Sequence, residues 1–286
     1  MSEAGGTKQE AAELVALQQG HRAPEGIVRL VREADAGQRL RFRLVMVGTW
    51  VLIIGALAAL FIGPGHFDTT FLLDNAPYIL GAIPLVIFIA VASILLAIVL
   101  AVLGALGRLS RTASVYAAAS LYVSLVRGTP LIVQIIFLYG ALPRIFPAAA
   151  DIPLLALGIF ALGFNYGAYM TEIFRAGIQA VPRGQREAAE ALGMRERLVM
   201  RRVVLPQAVR IVIPAIGNEF ISMTKDSALV SVIGVQEVLW RAQKIGSANF
   251  KNLETLLLAS LVYWVMTMIF SFFQDRLEKR LARGDR

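Results

Sequence analysis

Five stretches, each long enough to cross a lipid bilayer as a helix and almost free of charge, constrain this chain more than any other feature. The hydrocarbon layer is about 30 Å thick and an α-helix rises about 1.5 Å per residue, so a span needs about 20 apolar residues. Leu44–Ile62, Tyr78–Gly107, Ile152–Thr171 and Thr255–Gln274 hold no Asp, Glu, Lys or Arg, and Thr112–Leu142 holds only Arg127. A further stretch, Ile211–Gln236, is apolar but interrupted by Glu219, Lys225 and Asp226. The pattern predicts an all-α polytopic membrane protein with about six transmembrane helices. Composition agrees: 57% of residues are hydrophobic and only 17% charged. Soluble domains carry about 25% charged residues, so too few remain here to coat a water-exposed core.

The net charge of +8 is a topology signal. Lys8, Arg22, Arg29, Arg32, Arg39, Arg41 and Arg43 precede the first stretch, whereas residues 63–77 hold no Lys or Arg. Basic residues then alternate between rich and poor loops, peaking at eight between Arg175 and Arg210 and five after Gln274. By the positive-inside rule both termini are cytoplasmic. The domain reading is a cytoplasmic arm at 1–43, a first helix at 44–63, a transmembrane domain at 76–275 and a cytoplasmic tail at 276–286. Ile27, Leu30 and Val31 beside Arg29 and Arg32 suit an amphipathic surface helix within the arm, or a flexible tail. A cleaved signal peptide is not expected, because the first apolar run starts only at Leu44.

Several functions are excluded by missing residues. The chain has no Cys and only His21 and His66 as histidines, so thiolate chemistry and the usual zinc patterns are absent, and no metal site is expected. No phosphate-binding G-x-x-x-x-G-K-[ST] loop exists, nor a G-x-S-x-G elbow. No catalytic residue is assigned and no nucleic-acid motif accompanies the charge.

The basic loop before the Ile211 stretch, at about 180–206, is patterned. Gln185–Leu192 reads as an Ala- and Glu-rich helix ended by Gly193, and Arg195–Val204 as a second short helix stopped by Pro206. Leu192, Met194, Leu198 and Val199 form an apolar knob between charged flanks. A short helix of this kind suits docking into a partner's groove, or lying on lipid headgroups. The spacing Glu187-Ala188-Ala189, three residues, Gly193, nine residues, Val203, one residue, Leu205-Pro206 resembles the EAA loop of ABC-importer permeases. Tyr122–Pro143, Ala168–Gly193 and Gly217–Val238 resemble blocks of the polar amino acid subfamily of those permeases.

That resemblance, which runs from about Ala76 onward, implies a type I importer bundle preceded by an extra N-terminal helix. It implies a cytoplasmic ABC ATPase dimer that holds the ATP and Mg, a second permease subunit, identical or homologous, and an extracytoplasmic amino-acid-binding protein. Glu187, Ala188, Ala189, Gly193, Leu205 and Pro206 would couple this chain to the ATPase, and no cofactor sits on the chain itself.

The charges in the fifth predicted span mark a second site. Glu219, Ser222 and Asp226 fall at i, i+3, i+7, with Asn218, Ser222 and Lys225 on an adjoining stripe. Ionised groups at membrane depth cost about 2.5–3.5 kcal/mol each on insertion scales, so they face protein or water. They read as a polar wall of a substrate pathway, or as a structural patch. In a second functional class, an ion-coupled secondary carrier, Glu219 and Asp226 would be the ion-linked carboxylates. Pro84, Pro130, Pro206, Pro214, Gly217 and Gly234 are candidate kinks. Glu172 and Arg175 suit an i,i+3 ion pair, and Arg127 suits snorkelling.

Overall fold

A computed structural model describes residues 25–62 and 67–282, and every regular element among them is helical. The chain divides into two compact units, Met1–Phe67 and Asp68–Arg286. In the first, α1 (Glu25–Ile62) runs unbroken for 38 residues. The part of the predicted arm at 25–43 is therefore continuous with the Leu44 stretch. Residues 1–24 of that arm, and the end of the tail at 283–286, lie outside the described residues.

The second unit opens with α2 (Thr69–Leu80) and α3 (Ile83–Arg108). Asp68 caps α2 by accepting from the Phe71 N–H at 2.9 Å. Pro84 lies in the first turn of α3, where its missing N–H is harmless, so it does not kink the helix. The predicted third span is broken. Helices α4 (Ala113–Arg127) and α5 (Leu131–Gly140) are separated at Gly128-Thr129-Pro130, and the segments on either side differ in direction by 101°. Pro130 cannot donate, and it restricts Thr129 to extended geometry. Two short turns, α6 (Leu142–Ile145) and a 3-10 turn (Pro147–Asp151), lead into α7 (Leu154–Gln179).

After α7 come α8 (Arg183–Ala191) and α9 (Glu196–Val199), then a π-helical turn (Met200–Val204) that runs directly into α10 (Leu205–Asp226). Pro206 thus does not stop the second short helix. It sits in the first turn of α10, and the wider π turn before it accommodates the ring. Past Asp226 the chain tightens to a 3-10 segment (Ser227–Ile233), and α11 (Val238–Asn249) and α12 (Asn252–Ala282) complete the unit.

Among the described residues three helical segments can cross a membrane by length and composition, Thr69–Arg108, Leu154–Gln179 and Asn252–Leu281, with the bent α4–α5 pair as a fourth. The predicted count of six exceeds this. Ile211–Gln236 does not qualify, because three charges interrupt it and its α-helix gives way to 3-10 geometry at Ser227. Leu44–Ile62 lies in α1, where several side chains are outside the described residues.

Helices α3 and α7 form the central pair. Gly163, Gly167 and Thr171 recur every four residues on α7 and meet Leu96, Leu100 and Gly104 at the same spacing on α3. A Cβ at Gly163 would lie 2.7 Å from Leu96 Cδ2, and one at Gly167 would lie 2.8 Å from Leu100 Cβ. Lipid tails are as apolar as leucine, so close packing and hydrogen bonds hold such helices together. Three clusters follow α3 along its length: Val86 with Val238 and Val262, Ile89 with Ile135 and Leu162, and Ala97 with Tyr166 and Met223. Outward-facing Leu261, Trp264, Met268 and Phe272 of α12 are exposed, as a lipid-facing helix requires.

The two ends of the bundle are tied by polar contacts. At one end, Lys251 Nζ lies 3.4 Å from Asp68 Oδ2, Glu254 Oε1 accepts from the Asp68 N–H at 3.0 Å, and Arg241 donates to the Tyr78 carbonyl at 2.7 Å. At the loop end, Glu172 pairs with Arg175 at 2.7 Å, as its spacing predicts, and also with Arg108 at 3.1 Å. That second pair joins α3 to α7.

Candidate functional site

A cavity of about 250 Å³ lies between the α4–α5 break, α7 and α10. The break itself frees polar groups from the helical pattern: Pro130 has no N–H to offer the Val126 carbonyl, and Thr129 lies between the two helices. Gln134 answers them: its Nε2 donates to the Val126 carbonyl and to Thr129 Oγ1, both at 2.8 Å. Its Oε1 accepts from Asn165 Nδ2 at 3.1 Å, tying the break to α7. The next residue on α7, Tyr166, donates its hydroxyl to Asp226 Oδ2 at 2.8 Å.

Glu219 and Asp226 both line this cavity, with Thr129, Asn165, Tyr166 and Tyr169. Asp226 is fixed by Tyr166, whereas Glu219 has no hydrogen-bond partner among the described residues. Two carboxylates facing one small space repel each other, and a cation between them relieves that repulsion. Arg127 stacks on the Tyr169 ring, 5.0 Å from its centroid. This cation–π contact ties the end of α4 to α7 beside the cavity.

The other predicted pathway residues are not in the lining. Asn218 and Lys225 are exposed on a different face of α10, and Ser222 is half-buried between the faces. Lys225 forms no pair with Asp226 or with any other carboxylate among the described residues. The heptad spacing of Glu219 and Asp226 identified the acidic wall. Helix spacing on α10 does not point to the partners Thr129, Gln134, Asn165, Tyr166 and Tyr169, whose only signal in the sequence is a polar side chain beside apolar neighbours.

The patterned loop forms the second candidate site. The Gly193 N–H donates to the Glu190 carbonyl at 2.8 Å, and the Met194 N–H to the Ala189 carbonyl at 3.1 Å. Together these bonds are a Schellman closure of α8. Gly193 has φ +78°, a left-handed conformation that costs a residue with a Cβ about 1–2 kcal/mol. Glu187 and Ala188 are exposed, while Ala189 is buried in a cluster with Val181, Val199, Val204 and Ala208. The predicted apolar knob is split: Val199 and Met194 pack into this cluster, and Leu192 and Leu198 remain exposed. Leu205 and Pro206 are exposed at the start of α10. Among the described residues no group of His, Cys, Asp and Glu is arranged to hold a metal.

A family model described as "Binding-protein-dependent transport system inner membrane component" matches residues 97–283. This chain belongs to that family. It is 36% identical to the probable amino-acid permease protein YxeN of Bacillus subtilis (strain 168), across 76% of this chain and 96% of the relative. It is also 36% identical to the arginine transport system permease protein ArtQ of the same organism, across 77% of this chain and 100% of the relative. Among solved structures, an amino acid ABC transporter crystallised with histidines superposes with a TM-score of 0.71 at 36% identity, across 74% of this chain and 98% of that one. The inward-facing MetNI methionine ABC transporter shares the fold, with a TM-score of 0.56 at 19% identity across 71% of this chain and 95% of that one. As an inner membrane transport component, the chain is a multi-pass helical membrane protein, and the family match favours the ABC-importer reading over the ion-coupled carrier.

Proposed function

We propose that this chain is the permease subunit of an ATP-driven importer of polar or charged amino acids, working by alternating access with both termini in the cytoplasm. The observation that carries this reading is the closed EAA loop within a chain of this family. Glu187 and Ala188 face outward, Ala189 anchors the loop to its own bundle, and Gly193 sets the turn. In this reading Glu187, Ala188 and Gly193, with the exposed Pro206, form the surface that enters a groove of a cytoplasmic ABC ATPase, while Leu205 belongs to an apolar wall of the chain's own bundle. ATP and Mg are held there, and this chain supplies neither catalysis nor a cofactor. A second permease subunit completes the translocation path, and an extracytoplasmic binding protein delivers the solute.

Glu219 and Asp226 are the proposed contacts for the solute's ammonium groups, since the cavity they line carries two acids. Asn218, Ser222 and Lys225 belong to the wider wall of the path, outside this cavity. The test is uptake of an amino-acid panel into proteoliposomes containing this chain, its co-purified ATPase and the binding protein. ATP-dependent uptake that survives an uncoupler is expected. Uptake that follows an ion gradient and ignores ATP would overturn the reading.

A further inference from the structure

A second cavity, also about 250 Å³, lies on the outside of the bundle at the loop end, and its walls are entirely apolar side chains. Val102 and Leu106 of α3, Phe174 and Ile178 of α7, and a stripe of α10 from Leu205 to Ile216 form it. Leu106 is 60% exposed and Val209 of the stripe 50% exposed, while Ala105, Ala208 and Val212 form a buried floor, so the groove opens to the outside at Leu106 and Val209. The stripe covers eleven residue steps, or about 16 Å at about 1.5 Å per residue. Half of a hydrocarbon layer about 30 Å thick is about 15 Å. The groove therefore has the length of one leaflet.

The helical turn that precedes the stripe is charged. Arg201 and Arg202 lie one turn before Leu205, both exposed, and neither pairs with a carboxylate among the described residues. We infer that this groove binds an acyl chain of an anionic phospholipid from the loop-side leaflet, with Arg201 and Arg202 holding its phosphate. The floor of the groove is where α3, α7 and α10 meet above the buried Ala189–Val204 cluster. A lipid seated there fills the space between the elements that carry the loop. Each basic side chain near a membrane surface contributes about 1 kcal/mol toward anionic lipid, so two arginines give roughly a thirtyfold preference.

The experiment is native mass spectrometry of the full-length chain exchanged into equal amounts of phosphatidylglycerol and phosphatidylcholine with the same acyl chains. The wild type is expected to retain phosphatidylglycerol in preference, by roughly thirtyfold. Arg201→Gln with Arg202→Gln should remove the preference while leaving some lipid of either kind. Val209→Trp, at a half-exposed position, should expel the lipid altogether. Equal retention of the two lipids by the wild type, or retention unchanged by Val209→Trp, overturns the inference. The native chain has no cysteine, so Val209→Cys reports a different occupant directly. A disulfide dimer formed in high yield places a second copy on the groove and likewise overturns it.

Discussion

Replacing Gly167 by alanine tests the central packing of the bundle with one methyl group. An added Cβ would lie 2.8 Å from Leu100 Cβ and 2.8 Å from the Tyr122 hydroxyl. The Leu100 Cβ is fixed to its backbone, so no rotamer change relieves the first contact. Carbon atoms pack best at about 3.5–4.0 Å, which requires α3 and α7 to separate by about 1 Å. The second contact displaces the Tyr122 hydroxyl from the Phe164 carbonyl, to which it donates at 2.7 Å. Overpacking of this kind costs about 1–3 kcal/mol, and each kcal/mol lowers the melting temperature of a unit this size by about 2–4 °C. Because Asn165 and Tyr166 sit on the same stretch of α7, the shift also loosens the cavity. Thermal unfolding in nanodiscs and reconstituted uptake are the readouts, with Gly140→Ala as control, since nothing lies within 4 Å of a Cβ there. A melting temperature for Gly167→Ala equal to that of Gly140→Ala and of the wild type would refute the close-packing argument.

Gln134→Ala should destabilise the chain by about 1–3 kcal/mol, because the part-buried Val126 carbonyl loses its donor and Asn165 its acceptor, and Gln134→Leu should do the same in a melting assay despite its better hydrophobicity. Gly193→Ala, strained at φ +78°, should weaken co-purification of the ATPase while leaving the melting temperature of the membrane domain within a few degrees of wild type. Glu219→Gln and Asp226→Asn should each lower uptake of cationic amino acids at least tenfold more than uptake of neutral ones in a proteoliposome panel. An equal loss for both classes means charge is not the recognition element. The Asp68 carboxyl is held below its ordinary value by the Phe71 N–H and, secondarily, by Lys251. Its contribution to stability is therefore fully present above the unfolded value of about 3.9 and lost as pH falls through the lower folded value. The melting temperatures of wild type and Asp68→Asn, distinct near neutral pH, should converge in acid.

The features legible in the sequence are those set by local pattern. The uncharged windows Ile152–Thr171 and Thr255–Gln274 anticipate α7 and α12, helix spacing gives the Glu172–Arg175 pair and the shared wall of Glu219 and Asp226, and a single glycine gives the end of α8. What was not legible depends on other elements. Pro206 looks like a helix stop until the π turn before it supplies the room it needs. Gly163 and Gly167 look like ordinary membrane-helix glycines until Leu96 and Leu100 are placed against them. Gln134 carries no signal in isolation, since its role arises only once Pro130 breaks the helix and exposes the carbonyls it satisfies. Asn218 and Lys225, which share α10 with the acids, face away because one residue of offset is about 100° of rotation.

The uninterrupted helical path from Glu196 to Asp226 makes the loop and the cavity wall two ends of one rod. Thirty residue steps at about 1.5 Å each give a length of roughly 45 Å, and Gln274 braces its middle by donating to the Pro214 carbonyl at 2.8 Å. A rod of that length pivoting by about 5° at the loop sweeps its far end through roughly 4 Å. That is more than the 2.8 Å separating Tyr166 from Asp226. A tilt too small to notice at Gly193 is thus enough to unlatch the carboxylate from its tyrosine and change the shape of the space between the two acids.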